Sequence, residues 1–118
     1  MDIDHVYETL KIGIETLAAD TGTIQERLWK AWMAIHTLEE DDFPLEVRDE
    51  FHKLSAALTT PQEDIAIGTD PKVRTVNLAR KACEGLDGEH ARELALLIIQ
   101  LFAHVSAEFW PTHKKRAS

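Results

Sequence analysis

Residues 23–38, Thr-Ile-Gln-Glu-Arg-Leu-Trp-Lys-Ala-Trp-Met-Ala-Ile-His-Thr-Leu, read as a helix that is apolar on two sides, a pattern only packing against several other elements can satisfy. At 3.6 residues per turn, Ile24, Leu28, Ala31, Ile35 and Leu38 stack on one face with Trp32 at its edge. Trp29 and Met33 project toward the other side, where solvent is expected. A helix of this kind has two neighbours, and the second is either another part of the chain or another protein.

The rest of the chain repeats the helical period. Ile3, Val6, Leu10, Gly13, Ile14 and Leu17 fall on one face of a first helix ending near Ala19. A glycine on that apolar face costs up to about 1 kcal/mol relative to alanine, which suggests a close helix crossing at Gly13. Thr23 and Glu26 have capping-box spacing and set the start of helix two. The carboxylate run Glu39–Asp42 opposes the negative end of that helix's dipole and stops it. Pro44 suits the first turn of a third helix, in which Val47, Phe51, Leu54 and Leu58 form one buried stripe opposite Asp49, Lys53 and Ala56. Residues 59–70 contain Pro61 and Gly68 and form the longest connection, with Ile65 and Ile67 expected to pin it to the core. Asp70 before Pro71 starts a shorter, weakly apolar fourth helix that ends at Gly85. Asp87 opens a long last helix that is expected to stop at Phe109 or Trp110, before Pro111. Its main stripe is Ala91, Leu94, Ala95, Ile98, Leu101, Phe102, Val105 and Phe109, with Leu96, Leu97 and Ile99 outside it. Period-two alternation is absent over any useful length. The expected fold is all-α: a compact bundle of four main helices plus one shorter helix, the C-terminal helix central, over residues 1–111, with 112–118 a mobile basic tail.

A chain of 118 residues that is 44 % hydrophobic and 29 % charged, with nine Gly plus Pro, has the composition of one globular domain. The acidic start lacks a secretory pattern and no strictly apolar run approaches about 20 residues, so a cytoplasmic location and no membrane partner are expected. Cys83 is the single cysteine, which excludes an internal disulfide and suggests a small buried hydrophobe. The net charge of −8 divides unevenly: residues 1–70 carry 16 acidic and five basic side chains, and residues 71–118 carry five acidic and eight basic. Overall acidity disfavours general binding to nucleic acid.

Three pairs place imidazole and carboxylate one turn apart: His36 with Glu39, His90 with Glu93, and His104 with Glu108. Such pairs are metal half-sites at most, and the inward glutamate set of a di-iron bundle is missing, so no metal and no cofactor are assigned. The seven carboxylates of Glu39–Glu50 read as a solvated face that could attract a cation or a basic segment. Lys72, Arg74, Arg80 and Lys81, with tail residues Lys114, Lys115 and Arg116, could form an anion-binding surface. No nucleophile elbow, phosphate loop, dinucleotide fingerprint or paired-cysteine motif supports an enzyme.

The residues Ile24-x-Glu26-Arg27-Leu28, Phe43-Pro44-x-x-Val47-Arg48-x-Glu50-Phe51 and Leu58-Thr59 resemble a group of short, uncharacterised bacterial helical proteins. The resemblance implies a bacterial helical domain and transfers no site residue. The sequence therefore leads to an interaction protein, expected to form a homodimer or to bind another protein through Trp29, Met33, His36 and Trp32 of helix two. The alternative is a regulatory bundle holding a small molecule or metal between helices two and five.

Overall fold

The computed structural model describes residues 3–59 and 71–117, and the side chains of 3–59 and 78–110. Five α-helices follow one another, α1 (Ile3–Ala19), α2 (Ile24–Ile35), α3 (Arg48–Thr59), α4 (Pro71–Glu84) and α5 (Gly88–Ala117), with two short 3-10 turns before α3. The fold is all-α. Ile65, Ile67 and Asp70, expected to anchor the loop and cap α4, lie outside the described residues.

Local chemistry sets the helix ends. Gly22 takes φ 113°, a left-handed conformation that glycine adopts freely. The chain then turns into α2, where Thr23 Oγ1 accepts the Glu26 N–H at 3.1 Å. Asp87 Oδ1 accepts the His90 N–H at 2.7 Å and opens α5. Asp42 Oδ2 accepts the Glu39 N–H at 2.7 Å, so the acidic run folds into a 3-10 turn instead of extending α2.

α1 packs against both α2 and α5, which also touch each other, and runs antiparallel to both. A Cβ added at Gly13 would stand 3.0 Å from Ile35 Cγ2, so the missing side chain lets α1 and α2 cross closely, as its place on the apolar face suggests. Toward α5, the Tyr7 ring stacks on Phe109 with centroids 3.9 Å apart and on Phe102 at 5.4 Å. A second aromatic group, Trp32, Phe43 and Phe51, joins α2, the acidic turn and α3. α4 packs against α2 and α3, and its Ala79 and Cys83 are fully buried.

Four expectations are corrected, the first being the start of the third helix: Pro44 precedes a 3-10 turn over Leu45–Val47, and α3 begins only at Arg48. α4, with 14 residues, is longer than α2 and α3, with 12 each; α2 is the shorter because it ends at Ile35, leaving Leu38 buried in the turn beyond it. α5 does not stop before Pro111 but runs to Ala117; a proline deletes one backbone hydrogen bond without forbidding the helical φ. No strictly apolar run reaches bilayer length, yet Gly88–Trp110 is long and apolar enough on average to cross a membrane, with mean hydropathy 1.3. Ala91, Ile98, Leu101 and Val105 of that segment are buried in the bundle.

Candidate functional site

The apolar surplus of α2 is mostly taken up within the chain. Trp29 and Met33 are half-buried against the core, and Trp29 shares an open cleft with Arg80 and Glu84 of α4. Trp32, expected at the edge of the core-facing stripe and among the contact residues, is 1 % exposed and belongs to the core. That correction follows from its packing on Phe51. His36 is half-buried at the C-terminal end of α2, where its Nδ1–H donates to the Met33 carbonyl at 2.9 Å. The cations of the Trp29 cleft are paired: Lys30 Nζ lies 3.4 Å from Asp20 and 5.9 Å from the Trp29 ring, and Arg80 lies 3.3 Å from Glu84.

The surplus of α5 is left open. Leu96 and Ile99 are 43 % and 46 % exposed, whereas Leu97 packs partly against the core. They form one wall of a groove of about 310 Å³ that runs between α1, α2 and α5. Ile14, Leu17 and Ala18 of α1, Ile24 of α2 and Ala95 of α5 complete its apolar lining, and its charged lining residues are Arg27 and Arg92. Arg27 Nη1 donates to the Leu17 carbonyl at 2.8 Å, which holds the half-buried guanidinium over the end of α1. Its Nε is buried without a hydrogen-bond partner among the described residues. Neither arginine has an ion-pair partner among the described residues. The sequence marked Leu96 and Ile99 as lying off the main stripe of α5. Arg27 carried no signal, because its significance depends on where α1 ends relative to α2.

The metal half-sites separate. His90 Nδ1–H donates to Asp87 Oδ1 at 2.8 Å, so this imidazole serves the helix cap. The hydrogen bond and charge of Asp87 raise the His90 pKa, and the hydrogen bonds from the His90 backbone and ring lower that of Asp87. Glu39 belongs to the 3-10 turn, and neither it with His36 nor Glu93 with His90 gains a third ligand among the described residues. His104 and Glu108 do gain one: Glu46, from the turn before α3, brings its Oε2 to 3.9 Å from His104 Nε2, with Glu108 Oε1 at 4.0 Å. This group is largely open to water and serves as an ion-pair set when the imidazole is charged. The acidic run is partly offset by His52, which donates to Glu40 at 2.6 Å, and by Arg48, 4.0 Å from Asp41. Lys72, Arg74 and Lys114–Arg116, expected to form an anion-binding surface, lie outside the described side chains. Burial pushes the Cys83 thiol up to about 12, with the Glu84 charge adding to the shift.

Comparison with protein-family models, with curated proteins and with solved structures finds no match for this chain.

Proposed function

We propose that the protein is a non-catalytic helical binding module that holds an apolar small molecule in the groove between α1, α2 and α5. The observation that carries this reading is the groove itself: about 310 Å³, apolar over most of its lining and bordered by half-exposed Leu96 and Ile99. That size stands at the lower end of small-molecule sites, which are concave, largely apolar and fitted with a few polar groups. The Trp29 cleft supports the role less well, since its cations already have partners. The test is titration with a neutral hydrophobic reporter dye. The wild type takes up one equivalent, and Ile99→Glu loses it while keeping its helical circular dichroism; uptake unchanged in Ile99→Glu overturns the reading.

A second reading, self-association, is favoured by the exposure of Leu96 and Ile99 on neighbouring turns of α5. The homodimer then forms through the same groove, to which helix two contributes Ile24. Sedimentation distinguishes this from contact through Trp29 and Met33. Ile99→Glu gives a monomer in the first case, and Trp29→Ala with Met33→Ala gives one in the second.

A further inference from the structure

We propose that the occupant of the groove is a free small molecule with an apolar chain ending in a carboxylate, and that Arg27 and Arg92 recognise its charged end. This rests on the groove being the working surface. The two arginines are its charged lining residues, on a chain whose net charge is −8. An acidic protein repels small anions over most of its surface, so two arginines without ion-pair partners among the described residues, beside one apolar groove, select for negative charge at that place.

The state of Arg27 is the second, independent observation. Its Nη1 is fixed on the Leu17 carbonyl, so the guanidinium is held at the groove and not left to sample solvent. Its Nε–H is buried with no acceptor among the described residues. An unmet buried donor is costly, and a carboxylate seated at this end of the groove gives it an acceptor while Nη1 keeps the Leu17 carbonyl. A guanidinium presents its N–H groups in a planar fork that matches two carboxylate oxygens, a geometry an alcohol or an ammonium group cannot reproduce. Arg92 is exposed on α5, one turn before Leu96 and two before Ile99, which places its charge at the groove's rim while the apolar chain lies along those residues. The groove favours a small molecule over a protein partner because a stable protein interface buries about 800 Å² on each side, far more than a cleft of this size offers.

The experiment is calorimetric titration of the full chain with octanoate, octanol and octyltrimethylammonium, each below its micellar concentration. Octanoate binds at one equivalent, at least about tenfold more tightly than octanol, and the cation shows no binding. Arg92→Gln, an exposed substitution that leaves the core intact, weakens octanoate by about tenfold or more and leaves octanol unchanged; Arg27→Gln does the same where it folds. Raising the salt concentration weakens octanoate and not octanol. Equal binding of octanoate and octanol, or octanoate binding indifferent to Arg92→Gln, overturns the carboxylate assignment and leaves the groove as an apolar site. Failure of all three probes and of the neutral dye overturns both. Loss of octanoate binding in a dimer whose groove is protected by self-association overturns the small-molecule occupant in favour of a second copy.

Discussion

Gly13 and Ile35 show how one missing side chain positions two helices. Gly13→Ala gains up to about 1 kcal/mol of helix propensity but drives a methyl to 3.0 Å from Ile35 Cγ2, in a fully buried contact, where overpacking costs about 1–3 kcal/mol. The net expectation is a destabilisation of about 1 kcal/mol by chemical denaturation. In an Ile35→Ala background the obstacle is gone, and the same substitution stabilises; a coupling near zero would show that the crossing does not depend on this contact. Cys83 gives a second residue-scale test. With its thiol pushed up to about 12 and its side chain fully buried, alkylation at pH 8 is slower by more than a hundredfold in the folded protein than in denaturant, and comparable rates would contradict its placement. Both residues were legible in sequence as small residues on an apolar face. The sequence places Trp32 only at the edge of the buried face and among the contact residues, because its full burial comes from Phe51, 19 positions away and on another helix.

At the scale of the element, the caps carry the testable content. Thr23→Ala removes the acceptor for the Glu26 N–H and is expected to cost about 1 kcal/mol. At α5, the lowered Asp87 pKa contributes stability that is present above the ordinary carboxylate value and is lost as pH falls through the folded value. The raised His90 pKa contributes stability that is complete below the ordinary imidazole value and is lost as pH rises through the folded one. The contribution of the pair is therefore greatest between about pH 4 and 6.5. His90→Gln flattens the alkaline limb of a stability–pH profile and leaves the part of the acid limb that comes from the backbone hydrogen bond, whereas Asp87→Ala removes both; an alkaline limb unchanged in His90→Gln would contradict the pairing. The starts of α2 and α5 were readable because a cap and its first turn are contiguous in sequence, whereas α3 begins at Arg48 and not at Pro44, since residues 45–47 form a 3-10 turn first. Ends were less so: α2 stops at Ile35 because the following acidic residues fold into their own turn, and α5 continues through Pro111.

For the whole molecule, the groove predicts linkage between occupancy and stability. An apolar carboxylate at a hundred times its dissociation constant is expected to add about 2.7 kcal/mol and raise the melting temperature, an increase that Leu96→Glu abolishes without changing helical content. A melting temperature that rises equally in that variant would place binding elsewhere. The class of fold, the starts of α2 and α5, the buried stripes of α1, α3 and α5 and the close approach at Gly13 follow from the sequence alone, because each depends on residues within a few turns of one another. The sequence also shows that α2 and α5 carry more apolar surface than one stripe requires. Which surplus is covered and which remains open depends on how the helices pack. α4 packs on α2 beside Trp29, while Leu96 and Ile99 stay exposed next to Arg27 and Arg92, since exposure is set by contacts between helices distant in sequence and not by the period of either helix alone.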